Sequence, residues 1–168
     1  LSVSINMNYG VSFFFDRKQV LGEKYLKETL EIDPKFTPAR WYIARLYWTQ
    51  GKKKDAVNEF TKALEDGGET EIALKIREKE GEPSEKMRVL FNEWSKKFDK
   101  KLTDAQNIAF ASSYLGDVNL TLSWLEKSVE NHDAWAAWFY SQPEFEFVRD
   151  NNRFKKLMQE MGFEKTSE

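Results

Sequence analysis

The stretch IARLYWTQGKKKDAVNEFTKAL, residues 43 to 64, carries the pattern that decides the fold. Its first part has apolar and small residues at helical spacing until Gly51 interrupts the pattern. Its second part has apolar residues at i, i+1, i+4, i+7 and i+8, counted from Ala56, which is the one-sided stripe of an amphipathic helix. The stretch therefore predicts two helices joined at Gly51.

The same pattern recurs at a constant offset along the chain. Five pairs of similar positions share this offset: Gly10 and Ala44, Gly22 and Ala56, Leu26 and Phe60, Leu30 and Leu64, Pro34 and Gly68. Small residues stand where two helices must approach closely, and large residues stand beside them. A helix pair that recurs with a period of about 34 residues is expected to stack on its neighbours, because one pair cannot bury its apolar face alone.

This period makes the chain resemble the tetratricopeptide repeat (TPR) family. The resemblance implies an all-α fold, a right-handed superhelix of about four helix pairs with a C-terminal helical cap, in a single domain over residues 1–168. The repeats are expected at about 3–34, 36–68, 69–101 and 102–132, and the cap at 133–163. The last repeat lies three positions closer to the second than two full periods would place it.

Two segments fit the period less well. The three missing residues are expected in 69–82, so the first helix of the third pair, which contains EIALKIRE, should be short or frayed at its end. Near the N-terminus, residues 3–13 alternate apolar with polar or small residues, which is typical of a strand. The repeat register favours a helix there from about Asn6, and a strand stays open as the alternative.

The C-terminal segment from residue 133, DAWAAWFYSQPEFEFVRDNNRFKKLMQEMGF, predicts short helices that cap the array. Asp133 is expected to cap one helix, Pro143 to open a second, and Asp150 to cap a third that ends at Gly162. This segment is similar to the one that follows TPR arrays in bacterial multidomain regulators of the adenylyl cyclase, winged-helix activator and Ser/Thr kinase types. The matching residues are Asp117, Trp124-Leu125-Glu126-Lys127, Asp133, Trp135, Pro143, Phe145, Arg149-Asp150, Arg153-Phe154, Leu157 and Met161-Gly162.

Composition excludes several kinds of site. The chain has no cysteine, so it has no disulfide, no thiolate zinc site and no cysteine nucleophile. His132 is the only histidine, and no glycine-rich phosphate loop occurs. We therefore predict no catalytic residue, no metal site and no cofactor, and the chain is not expected to be an enzyme.

Charge and hydropathy bear on the expected partners and location. The 26 basic and 28 acidic residues nearly cancel, and Lys52, Lys53 and Lys54 follow Gly51 at a predicted helix corner. At this corner their positive charges stabilise the carboxyl end of the preceding helix, and water covers the rest of each side chain. Nucleic acid is therefore not expected as a partner. No apolar run reaches the roughly 20 residues that span a bilayer, so we expect no membrane insertion and a cytoplasmic location, with the periplasm as the alternative.

The resemblance implies that partners bind the concave groove made by the first helix of each pair. In the second repeat Trp41, Arg45 and Trp48 lie at i, i+4 and i+7, and aromatic and arginine side chains dominate interface energetics. By register, Met7, Val11 and Phe14 in the first repeat and Gln106, Phe110 and Tyr114 in the fourth would join them. The alternative is that these side chains fill the interior of the array or pack against the C-terminal segment.

The expected function is a protein–protein interaction or regulatory scaffold module. It would bind a peptide or a partner domain, which can belong to the same protein, within a larger bacterial signalling or transcription-regulatory protein. The alternative is self-association as a homodimer through the Trp- and Phe-rich C-terminal segment or the third repeat. Nucleic-acid binding is the less expected third function.

Overall fold

The computed structural model describes residues 2–163. Eleven helices occupy 76% of this part of the chain, which contains no β-strand. The first eight helices are α1 (Val3–Phe15), α2 (Gln19–Ile32), α3 (Thr37–Thr49), α4 (Lys53–Asp66), α5 (Thr70–Glu78), α6 (Pro83–Asp99), α7 (Ala105–Ser113) and α8 (Val118–Glu130). Two 3-10 helices, η1 (Ala136–Ser141) and η2 (Pro143–Val148), and α9 (Asn152–Glu160) follow. The all-α prediction is confirmed.

The helices pack in adjacent pairs, most extensively α1 with α2, α3 with α4, and α7 with α8. The first two pairs repeat at the predicted period, because the step from the start of α1 to the start of α3 equals that from α2 to α4. The step from α4 to α8 is three residues shorter than two such periods, as the sequence predicts. Helix α5 has nine residues where α3 has 13, so the prediction of a short helix in the third pair is confirmed.

Close approach between helices explains two glycines of the repeat pattern. A Cβ atom on Gly10 would lie 2.6 Å from Leu26 Cγ, so α1 can touch α2 only without a side chain there. A Cβ atom on Gly22 would lie 3.2 Å from Leu46 Cδ1 and 3.3 Å from the Gly10 carbonyl oxygen. These small residues therefore set the distance between helices, as the sequence predicts.

The N-terminus is helical from Val3, three residues before the predicted start. The Ser2 hydroxyl accepts a hydrogen bond from the Ile5 amide at 3.4 Å and caps the helix. The strand alternative is wrong, because the buried residues of α1 are Asn6, Gly10 and Phe14, which are spaced by four. Packing of this helical face overrides the local alternation.

The chain divides into two compact units, a first unit up to Val89 and a second from Leu90, and the division falls inside α6. The core of the first unit contains Phe14, Leu26, Ala39, Ile43 and Leu46. The core of the second unit joins α7 and α8 to the C-terminal helices and contains Ala109, Leu122, Leu125, Ala136, Phe139, Phe145, Val148, Phe154, Leu157 and Met158. The C-terminal helices therefore cover the apolar side of α7 and α8.

The start of the C-terminal helices agrees with the sequence in one place and differs in two. Pro143 opens η2, as predicted. The cap of α9 is Asn151 rather than Asp150, since the Asn151 Oδ1 atom accepts a hydrogen bond from the Arg153 amide at 2.9 Å. Asp133 caps no helix of its own segment. Its Oδ2 atom accepts a hydrogen bond from the Gln106 amide at 2.8 Å and so caps α7.

Candidate functional site

The side chains predicted on α3 are partly exposed and lie against aromatic rings. The Trp41 ring lies 5.4 Å from the buried Phe60 ring of α4, measured between centroids. The Arg45 guanidinium carbon lies 5.0 Å from the centroid of the Phe14 ring and 4.6 Å from that of Tyr42. Arg45 therefore lies over two aromatic rings that contact each other, one from α1 and one from its own helix, which places a positive charge beside apolar surface.

The first repeat contributes one buried and two half-buried residues to this region. Phe14 is only 2% exposed and belongs to the core, so Arg45 packs on a buried ring. Met7 is half-buried against the same core, and Val11 is half-buried in the next turn of α1. We call the set Met7, Val11, Trp41, Arg45 and Trp48 the α1–α3 face.

The predicted residues of the fourth repeat lie in the second unit, where two of them contact the C-terminal helices. Gln106 is buried, and its side-chain oxygen accepts a hydrogen bond from the Trp135 amide at 3.0 Å. The Phe110 ring stacks on Phe145 with 5.0 Å between centroids. Tyr114 is 4% exposed. The alternative of packing against the C-terminal segment thus describes Gln106 and Phe110.

A charged network joins α2 to α3 and to the residue that precedes α4. Glu23 Oε1 accepts hydrogen bonds from Lys27 Nζ at 2.7 Å and from the Tyr47 hydroxyl at 3.1 Å, while Lys52 Nζ lies 3.7 Å from Glu23 Oε2. Burial alone would raise the pKa of Glu23, but these hydrogen bonds and the lysine charges lower it below its ordinary value. Burial raises the pKa of the Tyr47 hydroxyl, and the Glu23 carboxylate adds to that effect.

Sequence reasoning missed two residues that shape this region. Tyr42 packs edge-to-face on Phe14, with 5.6 Å between ring centroids, and Arg45 lies over both rings. The signal for Tyr42 is an aromatic residue three positions before an arginine on one helix. Lys53 places its ammonium 5.3 Å from the centroid of the Trp48 ring. The lysine run therefore covers part of Trp48, in addition to forming the exposed corner between α3 and α4 that the sequence predicts.

The described residues form no metal site. No group of three or more His, Cys, Asp or Glu side chains between residues 2 and 163 is arranged to hold a metal ion. His132 is exposed at the end of α8 with a φ of 56°. None of the helices in this part of the chain has the length and apolar character needed to cross a membrane.

The chain matches no family model, no curated protein and no solved structure. The α1–α3 face is therefore supported by the sequence pattern and by its own geometry. That geometry places a guanidinium over two aromatic rings, with a partly exposed tryptophan about one turn away on either side.

Proposed function

We propose that this chain is a TPR-like protein-interaction module that binds a segment of a partner protein through the α1–α3 face. The observation that carries the proposal is Arg45, which lies over the contacting rings of Phe14 and Tyr42, with Trp41 and Trp48 about one turn away on either side. Tryptophan and arginine are the residues that most often dominate binding energy at protein interfaces. A side chain that is already fixed by its neighbours also loses little conformational entropy on binding.

Two features support the TPR-like part of the proposal. The bounds of α1 and α3, and those of α2 and α4, differ by the same offset, and glycines of the repeat pattern lie at the contacts between the helices. The resemblance of the C-terminal segment supports a place in a larger bacterial signalling or transcription-regulatory protein in the cytoplasm. In that setting the partner is a peptide or another domain of the same protein.

The experiment is selection of peptides from a random phage-displayed library on the immobilised chain, followed by calorimetric titration of the selected peptide. We expect Trp41→Ala with Trp48→Ala to abolish binding, and Trp48→Ala alone to weaken it at least tenfold, because truncation of an interface tryptophan costs about 2 kcal/mol or more. Trp48→Ala alone is included because Trp41 contacts the buried Phe60 ring, so loss of Trp41 also removes a contact to the core.

The matched control for this experiment is Trp138→Ala, which removes an exposed tryptophan of the second unit. Its affinity for the selected peptide should stay within twofold of the wild-type value, and circular dichroism should show unchanged helicity for all variants. Equal binding by Trp48→Ala and the wild type would reject the α1–α3 face as the binding surface.

Self-association is the second candidate function, and exposed aromatic side chains in the C-terminal segment favour it. Trp135, Trp138 and Tyr140 are 50%, 54% and 52% exposed. Trp135 and Trp138 are three residues apart at η1, and this spacing places side chains on one side of a 3-10 helix. Sedimentation velocity at two concentrations tests the proposal: a dimer that Trp135→Ser with Trp138→Ser dissociates supports it, and a monomer at both concentrations rejects it.

A further inference from the structure

A basic groove runs from the corner between α3 and α4 to the loop between α5 and α6, and neither candidate function uses it. Two clefts of 550 Å³ and 370 Å³ form the groove, and they share Lys54, Glu82 and Pro83 as lining residues. All of its residues belong to the first unit. Six lining residues are basic: Lys52, Lys53, Lys54, Lys62, Arg77 and Lys86. The carboxylates among the lining residues are Asp55 and Glu82.

Carboxylates outside the groove engage part of this positive charge. Lys62 pairs with Glu59 and Arg77 pairs with Glu65, each at 2.7 Å, and Lys52 lies 3.7 Å from Glu23. The basic side chains of these pairs are about half exposed, so they can turn towards a ligand in the groove.

Three other lining lysines have no carboxylate partner among the described residues, and one of them, Lys53, places its ammonium over an aromatic ring. The Lys54 side chain makes no ion pair or hydrogen bond there. Lys86 Nζ donates to the Ile76 and Arg77 carbonyl oxygens at 3.2 and 3.3 Å, at the end of α5. An ammonium group has three N–H donors, so Lys86 keeps one for a ligand. The groove thus presents two positive charges that a bound anion would satisfy.

We propose that the basic groove binds an acidic segment of a partner protein, with Lys54 and Lys86 contacting its carboxylates. The lining residues Val57, Ile76 and Pro83 give the groove an apolar part that peptide side chains can cover. Glu82 can accept a hydrogen bond from a peptide amide, a donor that a sugar-phosphate backbone lacks. None of the lining residues is aromatic, so the groove offers no stacking surface for bases.

This proposal does not depend on the α1–α3 face: the groove residue Lys53 lies over Trp48, but Lys54 and Lys86, which carry the proposal, belong to the groove alone. The test is fluorescence anisotropy of a labelled ten-residue peptide that alternates Glu and Ala, beside a peptide with Gln in place of Glu. We expect the acidic peptide to bind and the neutral peptide to bind at least tenfold more weakly. Affinity for the acidic peptide should fall as salt is added, because its charged contacts are exposed.

Lys54→Glu is the variant that tests the groove, and we expect it to weaken binding of the acidic peptide at least tenfold. Lys54 is exposed in the first turn of α4, where an acidic residue favours the helix dipole, so the variant should fold normally. Lys156→Glu on α9 makes the same change in net charge on an exposed side chain of the second unit. That control should bind within twofold of the wild type, and so should Arg45→Ala, which alters only the α1–α3 face.

Four results would overturn the proposal. Equal binding of the acidic and neutral peptides would show that charge does not select the ligand. An equal loss in Lys54→Glu and Lys156→Glu would show that net charge alone attracts the peptide. Tighter binding of a 15-nucleotide oligo-dT than of the acidic peptide would assign the groove to nucleic acid. Loss in Arg45→Ala with intact binding in Lys54→Glu would place the peptide on the α1–α3 face.

Discussion

In residues 2–163, most helices are followed by a residue in the left-handed backbone conformation, with positive φ. Three of these residues are not glycine. Arg17, Lys101 and His132 have φ values of 60°, 57° and 56°. At the corresponding ends of other helices the residue is a glycine: Gly51, Gly68, Gly116 and Gly162. A residue with a Cβ atom in this conformation is strained by about 1 kcal/mol or more. The glycines could be predicted as helix ends from the sequence, but the three substituted positions could not, because their side chains give no such signal.

We expect His132→Gly to raise the free energy of unfolding by about 0.5 to 1 kcal/mol, since relief of strain exceeds the added freedom of the unfolded chain. The neighbouring residue Asn131 has a right-handed φ of −78°, so Asn131→Gly should lower stability instead. Urea denaturation followed by circular dichroism measures both. A His132→Gly variant that is less stable than the wild type would contradict the expectation.

We expect Gly10→Ala to lower the free energy of unfolding by about 1 to 3 kcal/mol, although alanine is the better helix former. The added methyl group would lie 2.6 Å from Leu26 Cγ and 3.2 Å from the Leu26 backbone nitrogen. Leu26→Ala alone should cost about 2 to 5 kcal/mol. If the clash is the cause, the double variant should lose less stability than the two single variants together, and additive losses would show another cause.

At the scale of the element, α7 depends on a residue from the C-terminal segment. Its own N-cap residue, Asp104, makes no side-chain hydrogen bond to the helix. Asp133 Oδ2 accepts hydrogen bonds from the Gln106 amide and from the Ser128 hydroxyl, both at 2.8 Å. Sequence reasoning recognised Asp133 as a cap but assigned it to the wrong helix, because a contact between such distant positions depends on tertiary packing rather than on local pattern.

We expect Asp133→Ala to lower the free energy of unfolding by about 1 to 2 kcal/mol, because the first turn of α7 and the buried Ser128 hydroxyl both lose their acceptor. Asp104→Ala is the matched control and should change stability by less than about 0.5 kcal/mol. Urea denaturation compares the two. Equal losses would mean that Asp104 caps α7 in solution.

The network around Glu23, which links α2 to α3 and to the start of α4, predicts a dependence on pH. The pKa of Glu23 is lowered from its ordinary value of 4.5, so the stability that it adds is present above about pH 4.5 and is lost as pH falls further. Glu23→Gln should therefore be less stable than the wild type at pH 7, with a difference that shrinks towards pH 3. Urea midpoints between pH 3 and 7 measure this, and a difference that grows in acid would contradict it.

At the scale of the whole molecule, the sequence predicts the part of the fold that repeats. The bounds of α1 to α4 follow from the repeat period, because small buried residues recur: Gly10 and Gly22 in the first pair correspond to Ala44 and Ala56 in the second. The candidate face on α3 follows from helical spacing alone. The burial of Gln106 and the path of the basic groove could not be predicted from the sequence pattern, because both depend on contacts between segments that are far apart in the chain. The superhelix and the single domain stay predictions.

We expect the chain to unfold in one cooperative transition, because 168 residues suit a single domain and α6 supplies residues to both units. Gly10→Ala in the first unit and Asp133→Ala in the second should then each shift the whole urea curve. Circular dichroism and tryptophan fluorescence should give coincident curves. Two transitions, with each variant shifting only one of them, would contradict a single domain.

The dependence of α7 on the C-terminal segment bears on how reagents for this protein are prepared. A chain truncated before Asp133 would lose the acceptor for the first turn of α7 and would uncover Phe110, which now stacks on Phe145. Such a fragment would expose an apolar surface that the C-terminal helices cover in the longer chain. Pull-down experiments with it would collect false positives, so the segment through Phe163 belongs in any bait.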